Sequence, residues 1–203
     1  MRPPANDDFE DDDEFGEEEA AEHPRLQLVL RFAGYVRRVS WFAALGDPLS
    51  PSEIADAENY CAELGFPHAA VVPVESWEDA EAAIRNPDWN SDWWEAEEAL
   101  RASLIAQAVE EAEEEDVLAA LTAVTARASE VVHGQAAVAA ARAGIADEAL
   151  IRAAAGAATQ ACYQAALVLA AGAGDDHPFT LKFRLYEAGR WPLGIVGSTF
   201  GVF

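Results

Sequence analysis

Among the 203 residues of this chain, the nearest approach to a chemical site is the pair Glu130 and His133. A Glu-x-x-His spacing puts a carboxylate and an imidazole on one face of a helix, where both can reach one metal ion. Ferritin-like di-iron centres use two such pairs and two further glutamates. Here there is one pair, with Glu97, Glu98 and Glu148 as loosely placed additions. Half of the ligand set is missing, and a partly exposed histidine making one hydrogen bond is the simpler and preferred reading.

Nucleophilic chemistry has less to offer. Cys162 falls within an Ala-rich segment, where a thiol behaves as a small inert hydrophobe. Cys61 ends a helical pattern rather than beginning one, so no helix dipole lowers its pKa. Ser198 stands in Gly-Ser-Thr-Phe-Gly, which is not the strand–Ser–helix elbow of the hydrolases. The sequence has no phosphate-cradling glycine loop and no zinc-type Cys/His spacing. These residues point away from catalysis, and no cofactor is expected.

Two other groups suit binding better. Trp89, Trp93 and Trp94 lie within six positions. Such a cluster either lines a pocket or partner surface, or plugs the end of a helical core. The second group is carboxylates. The net charge of −24 repels nucleic acid and anionic lipid, and it attracts basic partners. Residues 1–24 hold eleven acidic side chains and one arginine, a net −10, and six of the seven residues from Glu110 to Asp116 are acidic. Glu113, Glu114 and Glu115 form the centre of that second run. The run from Asp7 to Glu19 has almost nothing to bury and is expected to be disordered. Its two large apolar groups, Phe9 and Phe15, can serve as a short docking motif for a basic groove or can simply be solvated.

The elements that must carry these groups are mostly helical. With 51% hydrophobic residues, the chain can bury one core over residues 25–203, behind an acidic tail of residues 1–24. Val117, Leu121, Val124, Ala128, Val131 and Gln135 recur at spacings of four and three, as do Leu150, Ala154, Ala158, Ala161, Ala165 and Val168. Gly144 separates the two stripes, and Asp147 can cap the second helix. They predict an antiparallel, Ala-rich helical hairpin with closely spaced axes. Leu26–Leu45 is apolar nearly all round and predicts a central helix, with Arg25, Arg31, Arg37 and Arg38 snorkelling at its rim or pairing with acids.

Local signals fill the remainder. Ser50 and Glu53 form a capping box with Pro51 between them, and Gly65 ends that helix. Residues 67–74 read as an extended edge strand, and Ser76 with Asp79 opens a brief helix. Asp92 and Glu95 can cap the helix that follows the tryptophans, and the acidic run near 110–116 predicts a solvated face or a kink. Residues 179–188 give two conflicting signals. Pro178 and Gly189 bracket a helix, while Phe179, Leu181, Phe183 and Leu185 alternate as in a strand. The helix is the preferred reading. Gly197-Ser198 lies between two apolar runs and predicts a C-terminal β-hairpin, which must pack on the helices or join a partner's sheet.

The fold expected is therefore mainly α, a helical bundle around the Ala-rich hairpin with a small C-terminal β element. Two cysteines, an acidic N-terminus and polar residues within Ala149–Gly172 favour a cytoplasmic protein in a reducing compartment, outside the membrane. The function expected is non-enzymatic: an intracellular accessory or inhibitory protein that binds a basic protein surface. The alternatives are a carboxylate/His metalloprotein and a structural protein that self-assembles through the apolar residues Trp191–Phe203.

Overall fold

The two Ala-rich stripes form the expected hairpin. A computed structural model describes residues 23–203. Phe9, Phe15 and the expected disorder of the tail fall outside the described residues. Among the described residues seven helices follow in chain order: α1 (Pro24–Val36), α2 (Pro51–Glu63), α3 (Trp77–Ile84), α4 (Ser91–Glu111), α5 (Glu114–Arg142), α6 (Glu148–Ala171) and α7 (Pro178–Glu187). Three strands, β1 (Ala70–Pro73), β2 (Pro192–Val196) and β3 (Thr199–Val202), make one small sheet. Among the described residues no helix is long and apolar enough to cross a membrane.

Helices α5 and α6 pair through a turn at Gly144, whose φ is +75°, and Asp147 caps α6 by accepting from the Ala149 and Leu150 amides. All six predicted stripe residues of α6 are buried. The α5 stripe departs from expectation after Ala128, because Val132, Ala136 and Ala140 are buried while Gln135 is exposed. Successive steps of four rotate the stripe around the helix. That rotation lets α5 pack against α1 as well as α6.

The central helix is α6 rather than the Leu26–Leu45 segment. Helix α1 stops at Val36 and buries one stripe, Leu26, Val29, Ala33 and Val36, leaving Leu28 and Tyr35 exposed. Beyond it the chain doubles back, and the Trp41 indole donates to the Val36 carbonyl at 3.0 Å. That bond supplies a partner for a helix-terminal acceptor and fixes the turn. Of the four arginines here, Arg25 pairs with Glu111 at 3.6 Å.

The capping box on α2 is present, with Ser50 accepting from the Glu53 amide and Glu53 accepting from the Ser50 amide. Glu53 also receives Arg190, which is 4% exposed and donates as well to the carbonyls of Ala44, Asp47 and Pro48. One carboxylate thus closes both a helix end and a long-range contact. Burial would raise its pKa, but the bonds from Arg190 and Ser50 prevail and hold it below the ordinary value.

The acidic stretch near 110–116 is both a break and a solvated face. Ala112 and Glu113 are extended between α4 and α5, and Glu110, Glu111, Glu113, Glu114 and Glu115 are exposed. The alternation in residues 179–185 also has an explanation. Leu181 and Leu185 face one apolar cluster and Phe179, Phe183 and Tyr186 face another. Two helical stripes on opposite sides of α7 superimpose to mimic a strand.

The C-terminal hairpin turns at Gly197-Ser198 with Val196 opposite Thr199, and β1 adds in parallel to β3 to give the order β1-β3-β2. Trp191, Leu193, Ile195, Phe200, Val202 and Phe203 are all buried. The apolar residues on which self-assembly through the C-terminal segment would depend are covered by the chain's own helices.

Candidate functional site

The tryptophan cluster opens α4. Asn90, not Asp92, is the cap, its side-chain oxygen accepting from the Trp93 amide at 3.1 Å. Starting the helix at Ser91 places Trp93 and Glu97 four residues apart on one face, and both turn inward, 6% and 1% exposed. Trp89 and Trp94 stay at the surface, each 37% exposed, with the Trp89 ring centroid 5.8 Å from that of Trp93 and 6.1 Å from that of Trp94. The cluster is thus divided between a core residue and two surface residues.

Glu97 is the centre of a buried polar group drawn from four helices. Tyr60 of α2 donates to its Oε1 at 2.5 Å, Lys182 of α7 donates to the same oxygen at 2.6 Å, and Gln164 of α6 donates to Oε2 at 3.2 Å. The Trp93 indole donates to the Tyr60 hydroxyl at 2.8 Å. The Lys182 ammonium also lies 5.6 Å from the centroid of Trp93 and 5.9 Å from that of Tyr60, over both rings. Each charge is therefore compensated twice, by its partner and by hydrogen bonds or aromatic faces. Burial without such compensation would cost several kcal/mol per ion.

Two polar atoms at this place find no hydrogen-bond partner among the described residues: the Gln164 carbonyl oxygen, within the group, and the buried Tyr186 hydroxyl, beside it. Burial, reinforced by the Glu97 charge, pushes both Tyr60 and Tyr186 well above the ordinary phenol value. Both hydroxyls stay protonated and can act only as neutral hydrogen-bonding groups.

Above this floor lies a hollow of about 260 Å³, with Trp89, Trp94, Ala153, Ala157 and Leu193 among its walls and Glu97, Lys182 and Tyr186 also lining it. The backbone fixes its rim. Trp89 bridges to Val196, the Asn90 amide donates to the Ile195 carbonyl at 2.9 Å, and the Gly197 amide donates to the Asp88 carbonyl at 3.0 Å. Strand β2 comes this close because residue 194 is glycine, at φ +101°, where an added Cβ would stand 2.8 Å from the Trp93 ring. A second hollow of about 520 Å³ beside Trp77 and Phe203 is larger, but its charged residues, Glu75, Glu78 and Arg142, are all exposed.

The structure does not bring the other sequence candidates to this place. Glu113, Glu114 and Glu115 lie past the far end of α4, roughly 30 Å from Trp94 at 1.5 Å per helical residue. Glu130 is exposed and bound to Arg127 at 2.7 Å, and His133 is exposed on the same helix. Glu98 pairs with Arg101, and Glu148 is exposed at the start of α6. Among the described residues, no three His, Cys, Asp or Glu side chains are grouped so as to hold a metal ion. Both cysteines are buried and free, with burial pushing each thiol up to about 12.

Sequence reasoning placed Glu97 only as a stray carboxylate and missed Tyr60, Gln164, Lys182 and Tyr186. One signal was available: Lys182 is the chain's only lysine, and it lies amid Phe179, Leu181, Phe183 and Leu185. A cation among bulky apolar residues calls for a buried partner. No protein-family model, no curated protein and no solved structure matches the chain.

Proposed function

We propose that this chain is a non-enzymatic, intracellular accessory or inhibitory protein that recruits a partner through that partner's basic surface. The observation that carries the reading is the state of the carboxylates at the junction of α4 and α5. Of the six acidic residues from Glu110 to Asp116, only Glu111 takes an ion pair among the described residues, with Arg25. Glu114, Glu115 and Asp116 are in the first turn of α5, where the helix dipole favours them. Glu110 and Glu111 end α4, where the dipole opposes them, and no basic residue occupies that last turn. Glu110 thus faces the wrong end of the dipole, and five of the six carboxylates take no ion pair among the described residues, which fits selection for binding better than selection for stability.

The buried titratable groups support the same reading. Glu97 is occupied by three donors, and the tyrosines and thiols hold their protons. None of these groups is a free base or an activated nucleophile.

The proposal is tested by affinity capture from a lysate of the source cells, comparing the parent with a Glu113→Gln/Glu114→Gln/Glu115→Gln variant. A partner with a basic surface, retained by the parent and depleted with the variant, is the expected result. Equal retention by both, or a partner whose contacting surface is acidic, would overturn it.

A further inference from the structure

We propose that the hollow beneath Trp89 and Trp94 is a binding site for a small, neutral, planar aromatic molecule carrying a carbonyl-type acceptor. The inference is independent of the partner reading, because the carboxylate junction lies at the opposite end of α4.

Five observations support the site and specify its ligand. The floor is electrically balanced, since Glu97 and Lys182 are 2.6 Å apart and both are buried. A charged ligand would introduce an unpaired charge there, and a neutral one would not. Secondly, the Tyr186 hydroxyl is fully buried, without a partner among the described residues, and part of a residue that lines the hollow. Buried polar groups are rarely left so in the absence of something that satisfies them. Lys182 gives one hydrogen bond to Glu97, of the three that an ammonium can donate. Both groups therefore have donor capacity to spare, which an acceptor on the ligand would use.

The walls select the body of the molecule. Trp89 and Trp94 offer flat, half-exposed rings, and Ala153, Ala157 and Leu193 complete an apolar lining. Planar apolar groups gain both from burial and from ring contacts with such walls. Size is limited too, because about 260 Å³ lies just below the usual range of small-molecule sites, roughly 300–1,000 Å³. Finally, the rim is held by the two backbone hydrogen bonds that make the Trp89–Val196 bridge and by the approach of Gly194 to Trp93. A rim fixed before binding reduces the cost of ordering it.

Isothermal titration calorimetry on the full chain tests this with a matched pair, acetophenone and ethylbenzene, which differ in the carbonyl. Saturable one-to-one binding is expected, with acetophenone the tighter ligand. Tyr186→Phe should weaken acetophenone by about threefold to tenfold, the scale of one net hydrogen bond, and leave ethylbenzene unchanged. Trp94→Ala, a surface change that spares the floor, should weaken both probes. Benzoate and benzylamine should each bind more weakly than acetophenone. No saturable heat from either neutral probe would overturn the proposal, as would acetophenone binding that ignores Tyr186→Phe or Trp94→Ala. Tighter binding of a charged probe would overturn the neutral class.

Discussion

Helix α6 carries two faces that solve opposite problems. One carries the buried stripe Ala154, Ala158, Ala161 and Ala165, a dry seam of small side chains. The other, towards α4 and α7, presents Gln164, with Ala153, Ala157 and Gln160 lining the hollow. The seam owes its stability to close approach and dispersion, which are short-ranged and intolerant of added volume. The polar side depends on complete pairing, where adding volume is tolerable and removing a partner is not. The same helix should therefore respond in opposite ways to enlargement and to truncation, depending on the face.

The largest effect should come from breaking the polar side. Glu97→Leu leaves the Lys182 ammonium buried without its carboxylate, at a cost of about 3–5 kcal/mol in a urea melt. Adding Lys182→Met to that variant should recover most of the loss, since an apolar pair in place of a buried ion pair is often neutral. Additive losses from the two changes would mean that the pair does not act as a unit.

Next comes the seam. Ala161→Leu forces apart two helices packed through alanine and should cost about 1–3 kcal/mol. Ala157→Leu, one turn earlier and half-buried where the helix borders the hollow, should cost less than Ala161→Leu, because the hollow offers room for the added methyl groups. It should also abolish acetophenone binding. Equal destabilisation by the two leucines would erase the distinction between the faces.

A smaller effect is a dependence on pH. The Glu53 pKa is lower in the folded chain than its ordinary value, the bonds from Arg190 and Ser50 outweighing burial. Its contribution is therefore fully present above the ordinary carboxylate pKa and is lost as pH falls through the depressed folded value. Glu53→Gln should flatten that acid-side part of a stability-versus-pH curve and leave its slope near neutrality unchanged. An unaltered acid-side slope would contradict the assignment.

These regions also differ in how far the sequence disclosed them. The α6 seam, the Ser50–Glu53 box, the Asp147 cap and the Gly197-Ser198 turn are each specified by residues within a few positions of one another, and helical or hairpin periodicity suffices to find them. The extent of α1 was misread because composition counts apolar residues without knowing that Trp41 folds back onto Val36 and that Leu28 and Tyr35 face solvent. The polar centre is a different case. Tyr60, Glu97, Gln164 and Lys182 come from four helices, and no local spacing relates them. Arg190 likewise meets carbonyls more than 140 positions away. Only the oddity of one lysine in a bulky apolar segment pointed there, and it could not name the partner. The acidic junction was legible as a break because like charges at one-turn spacing repel.

The claim that the exposed carboxylates serve recruitment is tested most directly by stopped-flow association with the captured partner over a range of salt. The Debye length shrinks from about 30 Å at 0.01 M to about 8 Å at 0.15 M ionic strength. Association should slow steeply across that range while dissociation changes little, and the Glu113→Gln/Glu114→Gln/Glu115→Gln variant should start slower and lose much of the salt dependence. An on-rate indifferent to salt, or one that the three neutralisations leave untouched, would contradict it.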